Sequence, residues 1–201
     1  MVTERTLLRL ERLIWELYVW RNRAMQPLEP WLATDRTGAT RELRIGDRWD
    51  DLALPVRMEC AVPQHIAADA LLEFFVEGDA LVYLDDRLAG ALSPFERELT
   101  LGSARQIAIE VSPNDAFGLI GTPAHVVTSR IVSPDPEMRA LFRELLLVWE
   151  ATAYLREHAV QPHLVQALDA ALAQLELPSD QLSATKAALL LHDELARLVD
   201  V

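Results

Sequence analysis

Apolar positions follow two different periods along this chain. From about residue 56 to about residue 132 they recur every second residue; before and after, they recur every three or four. The stretch 69–90 sets the first pattern. Leu72, Phe74 and Val76 fall on one side of an extended segment, with Glu73, Phe75 and Glu77 opposite. After Gly78-Asp79, Val82 and Leu84 resume the pattern with Leu81 and Tyr83 opposite, and Asp85-Asp86 interrupts it again. Two period-2 runs divided by a glycine-containing break predict adjacent antiparallel strands. Val56, Met58, Cys60 and Val62 alternate with Arg57, Glu59 and Ala61, and Pro63 closes that strand. Leu99 and Leu101 suggest a further strand, and Ile107, Ile109 and Val111 another. The β-branched run at 124–132 is the last. About six short strands with turn residues between them predict a β-sandwich or jelly roll.

The flanks are helical. Thr3 caps a predicted first helix reaching about Arg21. Leu7, Leu10, Leu13, Ile14, Leu17 and Tyr18 form one stripe. Leu8, Trp15 and Val19 form a second apolar shoulder, which meets either the rest of the chain or another subunit or domain. Pro27 and Pro30 end this helix, and from residue 26 to 51 periodicity fails, so a loop is expected. That region carries Trp31 and Trp49, which are either platforms for a sugar ring or anchors that pin a loop to the core. Near Pro134 the period changes. Asp135 as N-cap with Pro136 at the first helical position starts a helix carrying Met138, Leu141, Leu145 and Trp149. Pro162 opens a second, with Leu164, Val165 and Leu168. A third carries Leu182, Leu189, Leu190, Leu195 and Leu198. Short connections predict a helical hairpin or three-helix layer.

Composition narrows the function. The 201 residues are 51% hydrophobic and 25% charged, with a net charge of −12. So acidic a chain lacks the basic patch that phosphate backbones and anionic membranes require. No apolar run approaches the roughly 20 residues that span a bilayer. The N-terminus is charged where a signal peptide needs its apolar stretch, and one cysteine, Cys60, forms no internal disulfide; a cytoplasmic location is expected. No phosphate-cradling glycine loop is present, and a single cysteine excludes a multi-thiolate zinc site. No two of His65, His125, His158, His163 and His192 have the i, i+4 spacing of a helical zinc motif. Cys60 alternates toward the core and is expected to be inert. Asp85, Asp86 and Glu96 offer carboxylates for glycoside chemistry, but an Asp-Asp pair between strands is also turn chemistry. Neither catalytic nor metal-binding residues are assigned.

Several stretches together resemble the N-terminal region of cytosolic-type glycoside hydrolase family 38 α-mannosidases. They are RLERLIWELYVWRNRAMQPLEPW at 9–31, Gly46 with Trp49, and the run Gly78-Asp79-Ala80-Leu81-Val82-Tyr83-Leu84-Asp85. Asn114, Phe117-Gly118 and the Asp135 helix start also fit. The chain departs from that family in having Asp86 where glycine is usual, and Pro94-Phe95-Glu96 where a turn histidine is usual. The resemblance implies a mainly β fold with α: an N-terminal helix and arm (1–31), an antiparallel β-sandwich of jelly-roll, galactose-binding-like type (32–133), and a helical segment (134–201) leading to a catalytic domain. No histidine here has Asp two residues on, the pattern that opens that domain. The expectation is a non-catalytic accessory and assembly domain of a zinc-dependent retaining α-mannosidase. It needs no cofactor itself, while the implied catalytic domain holds zinc. Expected partners are that domain and further copies of the chain. A carbohydrate-binding module is the alternative, with Trp31, Trp49, Tyr83, Asp85 and Asp86 as candidates. Leu8, Trp15 and Val19 are the interface candidates.

Overall fold

A computed structural model describes residues 4–49, 51–76, 78–93, 96–112, 125–155 and 159–173. Thr3, Pro94-Phe95, the loop with Asn114 and Phe117-Gly118, His158, His192 and the helix expected around Leu189 lie outside the described residues. The chain divides into two compact units, Ala24–Ser133 and Met1–Arg23 with Pro134–Val201. The boundary read from sequence stood at residue 31.

Among the described residues the first unit is built on ten strands, the outermost two running into its ends. They are β1 (Asn22–Pro27), β2 (Trp31–Asp35), β3 (Thr40–Leu43), β4 (Val56–Ala61), β5 (Leu71–Val76), β6 (Asp79–Leu84), β7 (Arg87–Leu92), β8 (Glu98–Thr100), β9 (Gln106–Ser112) and β10 (Val126–Pro134). One sheet runs β1-β10-β5-β8 and the other β3-β2-β4-β9-β6-β7. The pairs nest. β6 pairs antiparallel with β7, β5 with β8 and β4 with β9, while β1 lies beside β10. A long hairpin rolled over on itself in this way is a jelly roll. The β2–β3 hairpin extends one sheet beyond β4.

Period-2 alternation explains why the two sheets share one core. Leu72, Phe74 and Val76 point inward from β5; Met58, Val82, Ile107 and Ile109 answer from the six-stranded sheet, and all are buried. Trp31 of β2 meets Phe74 edge-on, with ring centroids 5.2 Å apart. The tight turn between β6 and β7 is Asp85-Asp86, with φ of +48° and +61°. Two successive left-handed residues make the hairpin turn whose twist matches that of its strands.

Two expectations about this unit are corrected. β5 and β6 are consecutive but do not pair with each other; they lie in opposite sheets. Alternation specifies which side of a strand is buried, not which strand is its neighbour, and both strands bury apolar residues into the same interlayer core. The second correction is the region expected to be a loop, 26–51, which contains β2 and β3. Trp31, Ala33 and Asp35 are buried while Leu32 is exposed. Alanine, aspartate and threonine mute the hydrophobic contrast there. Asp35 is buried because its carboxylate ends the strand, accepting hydrogen bonds from the Thr37 hydroxyl at 2.7 Å and from the amides of Thr37, Ala39 and Ala53.

The second unit holds α1 (Glu4–Leu17), a 3-10 turn (Tyr18–Arg21), α2 (Pro136–Tyr154) and α3 (Gln161–Ala173). Ile14 and Leu17 of α1 share one buried cluster with Met138, Leu141 and Leu145 of α2 and Val165 and Leu168 of α3. Among the described residues these three helices form one layer, drawn from both sides of the sandwich in sequence. The Asp135 side chain accepts from the Met138 amide at 3.1 Å, capping α2, with Pro136 just inside. The Asp135 amide donates to the Arg21 carbonyl at 2.9 Å, tying the start of α2 to the end of the first helical segment.

Candidate functional site

The two tryptophans read as possible sugar platforms are both core residues, 0% and 1% exposed. Trp31 Nε1 donates to the Leu28 carbonyl at 2.9 Å and the Ser129 hydroxyl at 2.8 Å. Neither ring presents a face to solvent. Their burial follows from position: Trp31 is the first inward residue of β2, and Trp49 joins the same buried cluster.

Tyr83, Asp85 and Asp86 lie at one end of the six-stranded sheet. On the face turned away from the core, Ala108 of β9 stands between Glu59 of β4 and Tyr83 of β6, while Glu110 stands between Arg57 and Leu81. The Arg57 guanidinium lies 5.3 Å from the centre of the Tyr83 ring. It also donates to Glu59 at 2.7 Å and to Asp86 at 3.2 Å. The Glu59 carboxylate is the main reason its already high pKa rises further. Leu32, Leu81 and Leu88 are exposed. The result is an open surface with one half-buried aromatic ring, one arginine and several carboxylates, able to contact a ligand with both apolar and hydroxyl faces. Sequence reasoning found Tyr83 and Asp86 but passed over Arg57 and Glu59. Their alternation with buried Val56 and Met58 already placed them on the outer face.

Asp85 has a different task. Its carboxylate accepts from the amides of Arg105 at 2.9 Å and Gln106 at 3.0 Å, and its own amide donates to the Gln106 carbonyl. It ties the β6–β7 turn to the start of β9. Cys60 points to the interlayer side beside Met58, and burial pushes its thiol pKa up to about 11. Among the described residues no three His, Cys, Asp or Glu side chains are grouped to hold a metal ion.

The interface candidates occupy another surface. Leu8 is 59% exposed, Trp15 49% and Val19 58%. Leu8 and Trp15, seven residues apart, share one line of α1 away from buried Ile14 and Leu17, and Val19 stands on the 3-10 turn that follows. The Trp15 ring is held by Tyr18 at 5.5 Å and by the edge of Phe142 at 5.7 Å. It is thus oriented from below while half of it faces solvent.

No family model matches the chain, and no curated protein matches it. Two solved structures show a likeness: CBM51-2 with INT domains from Clostridium perfringens ZmpB, one of them in complex with GlcNAc. Each is 10% identical with a TM-score of 0.31, covering 87% of this chain and 42% of the other. The chain thus spans less than half the length of those two. A likeness at that TM-score carries no argument about fold or function.

Proposed function

We propose that this chain is a non-catalytic accessory domain that assembles with a catalytic portion through the outer face of α1. The resemblance to the N-terminal region of family 38 α-mannosidases names that portion: a zinc-dependent retaining glycosidase, acting in the cytoplasm and assembled from several copies. The observation that carries the reading is the exposure of Leu8 and Trp15 on a helix whose opposite face is already buried, continued by exposed Val19 on the turn that follows. A helix in a small layer needs only one apolar stripe, and a second marks a contact. Trp15 suits the centre of that contact. Its ring is already fixed by Tyr18 and Phe142, so little freedom is lost when a partner covers it.

Truncating an interface tryptophan costs about 2 kcal/mol or more of association energy, roughly a thirtyfold loss of affinity. Trp15→Ala is expected to keep the circular dichroism spectrum and weaken self-association, or docking to a supplied α-mannosidase catalytic portion, by that factor. Leu8→Glu and Val19→Glu test the same face without disturbing the aromatic trio. Sedimentation at matched concentrations reads the first effect and co-sedimentation the second. Unaltered association in all three variants would refute the proposal.

Carbohydrate binding by the sandwich is a second reading, favoured by Tyr83 on the open sheet face beside Arg57, Glu59 and Asp86. Weaker binding of methyl α-mannoside by Tyr83→Ala than by the wild type is its test; equal binding refutes it.

A further inference from the structure

A bowl of about 640 Å³ opens between two loops of the sandwich, the one joining β4 to β5 and the one joining β8 to β9. This volume lies within the roughly 300–1,000 Å³ typical of small-molecule sites. Val62, Pro63 and Ile66 give it an apolar floor; Gln64, Ser103 and Arg105 give it polar groups. We propose that it binds an acidic monosaccharide, a small ring bearing several hydroxyls and one carboxylate. This goes beyond the assembly role of α1 and does not depend on it.

The bowl is held in shape before any ligand arrives. The Val62 amide donates to the Arg105 carbonyl at 2.8 Å, and the Leu101 amide donates to the Ala70 carbonyl at 3.0 Å. On its other side, the Arg105 amide donates to the Asp85 carboxylate at 2.9 Å. Both backbone groups of Arg105 are therefore engaged. Its guanidinium has no hydrogen bond or ion pair among the described residues, nor do the side chains of Gln64 and Ser103. The backbone is fixed and three polar side chains are left for a ligand, the arrangement that lowers the ordering cost of binding. At Gly102, with φ of +56°, nothing lies within 4 Å of where a Cβ would stand, so the approach is open there.

The side chains specify the class. Gln64 offers both donors and an acceptor and Ser103 offers a hydroxyl, which together suit sugar hydroxyls. The planar fork of Arg105 matches a carboxylate through two parallel bonds. Pro63 and Ile66 suit the C–H face of a pyranose ring. Among the described residues Arg105 is the one charged residue lining the bowl, in a chain of net charge −12. A single cation balances a single carboxylate, whereas a doubly charged phosphate meets the repulsion of the remaining acidic surface.

Calorimetric titration of the full chain with methyl β-glucuronide, methyl β-glucoside and glucose 6-phosphate tests this. Glucuronide is expected to bind about tenfold or more tightly than glucoside, the scale of one charge-assisted bidentate contact, and more tightly than the phosphate. Arg105→Gln should bring glucuronide to the glucoside level and leave glucoside unchanged. Because the backbone of Arg105 holds the loop, its thermal midpoint should match the wild type. Ser103→Ala and Gln64→Ala should weaken both glycosides. The proposal is overturned if neither glycoside binds, if glucoside or the phosphate binds as well as glucuronide, or if Arg105→Gln keeps the preference.

Discussion

Replacing Trp31 with alanine tests the account of the sandwich core, because two kinds of interaction meet there and make different demands. A fully buried tryptophan removes roughly 200 Å² or more from water, and at about 25 cal/mol per Å² that is about 5 kcal/mol. Alanine keeps a small part of it, and the cavity relaxes incompletely, so the expected loss is about 3–5 kcal/mol. The edge-on contact with Phe74 belongs to the same loss. No orphaned polar group should add to it. With the indole gone, the Ser129 hydroxyl still donates to the Leu28 carbonyl, at 2.6 Å in the intact protein. The same geometry predicts the opposite scale for Ser129→Ala. The two bonds through the Ser129 hydroxyl are lost, but Trp31 Nε1 keeps the Leu28 carbonyl at 2.9 Å and no partner is orphaned, so the cost is about 1–2 kcal/mol. Urea midpoints and slopes, followed by circular dichroism, give both values. A Trp31→Ala loss below about 1.5 kcal/mol, or a Ser129→Ala loss as large as that of Trp31→Ala, would refute the reasoning, since the first is too small for a buried tryptophan and the second too large for hydrogen bonds that orphan no partner.

Three further outcomes are expected. Asp86→Gly should stabilise the protein by up to about 1 kcal/mol, since glycine adopts φ of +61° without penalty and the ion pair it removes, to an 80% exposed carboxylate, contributes little; a lower urea midpoint contradicts this. The Thr37 hydroxyl, with the Ala53, Thr37 and Ala39 amides, holds the Asp35 pKa at about 2, below its ordinary 3.8. A depressed carboxylate stabilises the fold above its unfolded value and loses that contribution as pH falls toward the folded one. Wild-type stability should therefore fall between about pH 4 and pH 2 more steeply than that of Asp35→Asn, and parallel curves would exclude the effect. Cys60, its thiol raised to about 11 by burial, should react with iodoacetamide at pH 8 about a hundredfold more slowly than a free thiol, and at an ordinary rate in urea; fast reaction in the folded protein would count against its inward placement.

The local pattern of the sequence carried far toward this structure. Alternation at Leu72, Phe74 and Val76, and again at Ile107, Ile109 and Val111, specified strands and their buried faces. Asp135-Pro136 specified a helix start, because capping and the fixed φ of proline act within four residues. The sequence also set Leu8 and Trp15 apart from the main stripe, since helical spacing alone puts them on one line; Val19, read as part of the same helix, stands on the 3-10 turn after it. Pairing was beyond it. That β5 and β6 lie in opposite sheets, while β4 pairs with β9 some fifty residues away, depends on the closure of the whole roll. β2 stayed hidden because Ala33 and Asp35 are buried for reasons of fit and hydrogen bonding that hydrophobicity does not record. The fates of the aromatic candidates were settled in the same way. Nothing local distinguishes Trp31, sealed against Phe74 and Ser129, from Tyr83, left on the outer face. Only the folded sheets bring Gln64 and Arg105 to one bowl, because hydrogen bonds between distant loops place them there.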